Sequence, residues 1–89
     1  MDNMTNNIGK VEAFKSYYDQ AKRAYALGQK DNAKQLYLKA ASVANEISIS
    51  SSSYEVKMEY HNAALKIINF VKNDFQPNTD NYYIDLMNL

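Results

Sequence analysis

The residue in this sequence best suited to bind a metal or to transfer a proton near neutral pH is its single histidine, His61. No second histidine and no nearby pair of carboxylates accompanies it, and the chain has no cysteine. Because zinc sites take three or four such ligands, we expect His61 to make a polar contact and not to bind a metal. The sequence also lacks a glycine-rich phosphate loop, a serine elbow and an H-E-x-x-H pattern. We therefore expect neither catalysis by this chain nor a cofactor.

Eight tyrosines give the chain a second set of groups with binding potential, because aromatic rings stack on the bases of single-stranded nucleic acid. Four of them fall on the core faces of the helices predicted below, which favours packing over base stacking: Tyr17, Tyr25, Tyr37 and Tyr60. The net charge is zero and the pI is about 6.5, whereas nucleic-acid-binding domains usually carry a basic stripe and a high pI. We expect no nucleic-acid partner.

Charge is distributed unevenly along the chain. Residues 1–72 contain all ten Lys and Arg and seven acidic residues, a net charge of +3, whereas residues 73–89 contain three Asp and no base, a net charge of −3. We interpret the bases of the first two helices as a solvated face, with an acidic partner as the alternative: Lys22, Arg23, Lys30, Lys34 and Lys39.

The spacing of apolar residues predicts three amphipathic helices, over residues 10–27, 32–48 and 53–73. Gly28 suits a left-handed helix end, and Asp31 is the predicted N-cap of the second helix. So short a connection makes the first two helices antiparallel. The apolar face of the first helix repeats at intervals of three and four: Val11, Phe14, Tyr18, Ala21 and Tyr25, widened by Tyr17 and Ala24.

The serine-rich stretch at residues 49–52 is predicted to be a linker, and Ser52 with Glu55 forms the S-x-x-E pattern of a capping box at the start of the third helix. We predict an all-α fold, a three-helix antiparallel bundle of the spectrin-repeat-like kind, with a disordered N-terminus at 1–9 and a linker or tail at 74–89. The predicted core faces of the second and third helices are Ala33, Leu36, Tyr37, Ala40, Val43, Ala44 and Ile47, and Val56, Tyr60, Ala63, Ala64, Ile67 and Val71.

The third helix has a second apolar stripe. At 100° per residue its members lie about 120° to 200° from Val56, away from the core face: Met58, His61, Leu65 and Ile68. The second helix has a weaker counterpart in Leu38, Ala41 and Asn45. These residues are scattered apolar surface positions, or they are covered by the tail or by a dimer contact. Alternatively, they line a groove that receives a partner's amphipathic helix or strand. The groove hypothesis requires that the stripe is not buried within the monomer.

Residues 11–72 resemble the MIT domain, the microtubule-interacting and trafficking module at the N-terminus of AAA ATPases and other trafficking proteins. Two patterns support the resemblance, A-x-x-L-Y-x-x-A at residues 33–40 and E-Y-x-x-x-A-x-x-I at residues 59–67. It implies that a groove between the second and third helices accepts a helical motif of a client, and that the client contacts Met58, His61 and Leu65 of the third helix. The family's usual R-A-E is replaced by A-A-L at 63–65, which implies a more apolar client than ESCRT polymer subunits.

Residues 82–89, YYIDLMNL, are similar to the stretch that precedes the ATPase module in bacterial AAA ATPases of the CbxX type. The similarity implies a longer protein that hydrolyses ATP, in which this non-catalytic module recruits a protein or peptide client or positions the motor. Two alternatives stay open. One is a single tetratricopeptide-like unit, although such repeats stack in several copies and no second copy is present. The other is a homo-oligomer, formed through the parent ATPase or through a tail that docks in a neighbouring copy by Tyr83, Ile84, Leu86 and Met87.

No apolar run approaches the roughly 18 residues that a membrane span needs, so we expect no direct insertion into a membrane. The absence of cysteine fits a reducing compartment. The expected localisation is therefore cytoplasmic.

Overall fold

The computed structural model describes the backbone of residues 3–75 and the side chains from residue 9 onward. It contains three helices, α1 (Asn3–Ala26), α2 (Lys30–Ser50) and α3 (Tyr54–Lys72), and no strand among the described residues. Short connections reverse the chain between successive helices, which confirms the all-α three-helix bundle. Within this part of the chain, none of the helices has both the length and the apolar composition needed to cross a lipid bilayer.

The first helix ends at Ala26, and Gly28 just beyond it has the left-handed conformation that the sequence predicts. This glycine has a φ of +81°, a left-handed conformation that a residue without Cβ adopts at no steric cost. The amide of Gln29 donates to the carbonyl of Ala24 at 2.9 Å, and the amide of Gly28 donates to that of Tyr25 at 3.0 Å. These two bonds form the Schellman motif, which satisfies carbonyls that the helix end would otherwise leave unpaired.

Both predicted boundaries at the N-terminal ends of α1 and α2 are wrong. The α1 helix begins at Asn3, so residues 3–9 are helical and not disordered; Gly9 does not adopt a left-handed conformation that would interrupt it. The α2 helix has Gln29 and not Asp31 at its N-cap position, without a side-chain cap. The reason is that the Gln29 carbonyl already accepts the Ala33 amide at 2.9 Å. Asp31 instead lies in the first turn, where its charge favours the positive end of the helix dipole.

The serine-rich stretch prolongs α2 where a linker was predicted. The hydroxyl of Ser50 donates to the carbonyl of Glu46 at 2.9 Å, the bond to the preceding turn that allows serine inside a helix. Only residues 51–53 connect α2 to α3. The N-cap of α3 is Ser53, whose hydroxyl accepts the amide of Val56 at 3.3 Å. The predicted Ser52–Glu55 capping box is therefore one residue out of register, and the apolar Val56 stands where the box needs a glutamate.

The central helix of the bundle is α2. It packs against both neighbours, whereas the backbones of α1 and α3 stay more than 8 Å apart at every Cα pair. Aromatic rings bridge that gap: the ring centroids of Phe14 and Tyr60 lie 5.6 Å apart, and those of Tyr25 and Phe70 lie 6.5 Å apart. Small side chains cover the face of α2 that is buried, apart from one tyrosine and one isoleucine: Ala33, Tyr37, Ala40, Ala41, Ala44 and Ile47.

Phe75, which the sequence places in a linker or tail, belongs to the core. Its side chain is 6 % exposed, and its ring centroid lies 5.0 Å from that of Tyr25, 5.6 Å from that of Phe70 and 6.0 Å from that of Tyr37. The burial of the Phe75 ring thus closes the end of the bundle where α1 and α3 finish.

A second Schellman motif directs Phe75 into this position. The amide of Phe75 donates to the carbonyl of Phe70 at 2.9 Å, and the amide of Asp74 donates to that of Val71 at 3.1 Å. Both Asp74 (φ +56°) and Phe75 (φ +63°) are left-handed, which costs a residue with a Cβ roughly 1–2 kcal/mol. We infer that burial of the Phe75 ring offsets much of the combined cost of about 2–4 kcal/mol for the two residues, because a buried aromatic side chain stabilises by about 1.5–3 kcal/mol.

Most of the predicted core tyrosines pack as expected. Tyr37 is buried, and Tyr17 and Tyr60 are partly buried against the core, but Tyr25 is 39 % exposed. Tyr25 lies at the end of α1, where its ring packs beside those of Phe70 and Phe75. Burial raises the pKa of the Tyr18 phenol, and the neighbouring Tyr37 adds to this shift. Burial likewise raises the pKa of Tyr37 and, with Glu59 as a lesser cause, that of Tyr60.

We expect Phe75→Ala to lower the free energy of unfolding by about 3 kcal/mol, because it removes a buried ring and leaves a cavity. Urea denaturation followed by circular dichroism measures the change. The matched control is Tyr54→Ala, the same truncation of an aromatic residue that is 73 % exposed, which should change stability by less than about 0.5 kcal/mol. Equal effects of the two substitutions would show that Phe75 is not part of the core.

We expect stability to fall as the pH rises above about 10, the ordinary tyrosine pKa. Because the folded-state pKa values of Tyr18 and Tyr37 are raised, the unfolded chain loses these protons first, and the stabilisation present below pH 10 is lost by up to about 1.4 kcal/mol per pH unit per group. Urea denaturation of the unchanged chain and of Tyr18→Phe separates this effect from lysine titration. Identical pH dependence in the two would contradict the assignment to Tyr18.

Candidate functional site

A groove of about 360 Å³ runs between α2 and α3 on the side of the bundle away from α1. Its floor is formed by Ala41 and Ala64, which are 3 % and 5 % exposed. Its walls are formed by Leu38, 41 % exposed, and Leu65, 46 % exposed. The complete lining comprises Leu38, Ala41, Ser42, Asn45, His61, Ala64, Leu65 and Ile68.

Helical periodicity explains why small and large residues alternate in this way. On α2, Ala41 and Leu38 are three residues apart, and on α3 Ala64 lies next to Leu65 and four residues before Ile68. At 100° per residue the alanines point toward the facing helix, while the leucines lie 60° to 100° further round. The small alanines allow α2 and α3 to pack closely, and the two leucines project to the surface on either side of the alanines.

The structure brings together six of the seven residues that the sequence predicts for the groove, namely Leu38, Ala41, Asn45, His61, Leu65 and Ile68. Met58 is not part of the lining, although its side chain is 38 % exposed. Sequence reasoning missed Ser42 and Ala64, which the same periodicity places at the edges of the stripe. The stripe is not buried within the monomer, as the groove hypothesis requires. That the groove binds a peptide stays a prediction.

A pair of reciprocal hydrogen bonds closes the end of the groove next to the α2–α3 connection. The hydroxyl of Ser48 donates to the carbonyl of Lys57 at 2.8 Å. In return, the Lys57 ammonium donates to the carbonyls of Ser48 at 3.1 Å and Ile49 at 3.2 Å, an interaction that also favours the negative end of the α2 dipole. Because the Lys57 side chain crosses to α2 here, the groove stops short of Met58.

The other end of the groove is open and flanked by charged residues. One helical turn beyond Leu38 on α2 is Lys34, and one turn beyond Ile68 on α3 is Lys72, and both are exposed. Asp31 lies a further turn out on α2. Between the two ends, the lining contains uncharged polar groups on Ser42 and Asn45 together with His61. The groove therefore presents apolar walls, polar groups along its rim, and an excess of positive charge at its open end.

The arrangement offers apolar and polar contacts for binding. His61 is exposed at the rim of the groove. Among residues 3–75, no group of three or more His, Asp or Glu side chains is placed to hold a metal ion. The predicted tail-docking residues lie outside the described residues: Tyr83, Ile84, Leu86 and Met87.

Comparison of the chain with protein-family models, with curated proteins and with solved structures finds no match in any of the three. The resemblance to the MIT domain thus rests on the residues at 33–40 and 59–67.

Proposed function

We propose that the chain is a non-catalytic protein-interaction module that binds an amphipathic helix of a client in the groove between α2 and α3. The observation that supports this most directly is the pair of half-exposed leucines, Leu38 and Leu65, on either side of an alanine floor. Two large apolar side chains held apart by small ones offer a slot for the apolar residues of a partner.

The energetics favour a ligand with two or three apolar anchors. Full burial of a leucine stabilises by about 1.5–3 kcal/mol, so covering the exposed halves of Leu38 and Leu65 contributes roughly 1 kcal/mol each, and the client's own side chains contribute in addition. Grooves of this kind accept residues at i, i+3, i+4 and i+7 of an amphipathic helix. A helix is favoured over a strand because it satisfies its own backbone hydrogen bonds, and residues 3–75 provide no sheet edge for a strand to join.

Charge gives the client an orientation. Lys34 and Lys72 at the open end favour acidic residues in the part of the client that lies there. At the closed end, Lys57 is already bonded to α2, and the exposed residue nearby is the apolar Met58. We therefore propose an acidic amphipathic client. Since exposed ion pairs contribute little affinity, the charges would set the direction of the helix, and the leucines would supply most of the binding energy.

We further propose that the module is MIT-like. In this proposal it is the part of a cytoplasmic AAA ATPase that recruits a client or positions the motor. The residues at 33–40 and 59–67 support the class, the segment at 82–89 supports the link to an ATPase, and the absence of cysteine supports the compartment.

We expect Leu65→Asp to weaken binding of an amphipathic peptide by more than tenfold, because a client would have to bury a carboxylate against its apolar face. The probes are two synthetic helical peptides with the same apolar residues at i, i+3, i+4 and i+7, one with an acidic and one with a basic polar face. Fluorescence polarisation should show tighter binding of the acidic peptide.

The matched control is Leu27→Asp, the same change at a leucine that is 73 % exposed and lies outside the groove. It should leave the affinity unchanged, and circular dichroism should show equal helicity in both variants. Binding that is insensitive to Leu65→Asp, or equally sensitive to Leu27→Asp, would reject the groove as the binding surface.

A further inference from the structure

We propose that in the free protein the groove is occupied by the chain's own C-terminal segment, residues 82–89, docked in cis, so that a client must displace it. This inference rests on the proposed function, since it requires the groove to bind an apolar segment.

The segment has the chemistry that the groove selects. Residues 76–89 contain Asp80 and Asp85 and neither Lys nor Arg, whereas the rest of the chain carries all ten bases. Tyr83, Ile84 and Met87 are spaced at i, i+1 and i+4, which places them on one side of a helical turn. An acidic stretch with apolar residues at helical spacing matches both the leucine walls and the basic open end.

The segment also has sufficient reach. The α3 helix ends at Lys72, at the open end of the groove, and Phe75 is buried in the core three residues later. Leu65 lies two turns back along α3, about 11 Å away. Six residues, 76–81, separate Phe75 from the segment, and they span up to about 20 Å at roughly 3.3–3.6 Å per residue. The extended length of residues 76–81 therefore exceeds the distance along α3 from its end back to Leu65.

Tethering favours docking in cis over docking in a second copy. A tether of only six residues, 76–81, gives an effective concentration in the millimolar range. At micromolar protein concentration, a neighbouring copy competes at about a thousandfold disadvantage. If the tail bound the groove with a dissociation constant near 0.1 mM, about ten monomers would have an occupied groove for each monomer with an empty one. No dimer would form. Competition from the tail would weaken the apparent affinity of a client about tenfold.

The test uses the full chain, and the absence of native cysteine makes introduced cysteines unambiguous. Ser42→Cys places a thiol on the groove rim, and Asn88→Cys places one in the tail. The control pairs Asn88→Cys with Ser16→Cys, an exposed position on α1, at a similar height in the bundle but on another face. Under mild oxidation at micromolar concentration, we expect the Ser42 pair to form a disulfide within one chain at least ten times faster than the Ser16 pair.

A second measurement separates failure of this proposal from failure of the proposed function. Ile84→Asp with Met87→Asp should raise the affinity of the acidic probe peptide about tenfold and slow the Ser42–Asn88 disulfide to the control rate. Equal rates for the two cysteine pairs, with peptide binding that Leu65→Asp abolishes, would overturn the cis tail and keep the groove. Disulfide-linked dimers would assign the tail to a second copy. Peptide binding in neither the unchanged chain nor the tail variant would overturn both proposals.

Discussion

The alanine face of α2 is the constraint on which the rest of the structure depends. Ala33, Ala40 and Ala44 are completely buried, and side chains this small let two other helices approach the same helix at once. Because α2 packs on both sides, α1 and α3 do not have to touch through their backbones, and aromatic rings are sufficient to fill the gap between them. A larger residue on this face would push one neighbour away, and an 89-residue chain with a small core has little stability to lose.

The same constraint generates the candidate site. At the groove, Ala41 of α2 and Ala64 of α3 are buried, while the longer side chains of Leu38 and Leu65 beside them stay partly exposed. Thus α3 uses one apolar face to hold the bundle together and leaves a second one accessible. The hydrogen bonds between Ser48 and Lys57 fix the separation of the helices at one end of the groove. The groove is therefore a consequence of how the core packs, and two helices of the bundle form it.

Periodicity in the sequence was sufficient to locate three helices and most of the groove, because the fixed rotation per residue determines which side chains share a side of a helix. It was not sufficient where a residue's position depends on distant partners. Phe75 follows the last helix and precedes Pro77 in a polar stretch, so only its ring contacts reveal that it is buried. The hydrogen bonds of Lys57 to α2 could not be predicted either, because apolar spacing does not encode individual hydrogen bonds. The same holds for Ser50, which is helical through the bond from its hydroxyl to Glu46.

The most direct test of the close packing of α2 is Ala44→Leu, compared with Ala26→Leu at an exposed position of α1. Both exchange alanine for the same larger residue with good helix propensity, so they differ only in the space available around the side chain. Urea denaturation should show that Ala44→Leu lowers the free energy of unfolding by about 1–3 kcal/mol through overpacking, while Ala26→Leu changes it by less than about 0.5 kcal/mol. If Ala44→Leu is as well tolerated as Ala26→Leu, the helices are not held together at the alanine face, and the groove lacks its structural basis.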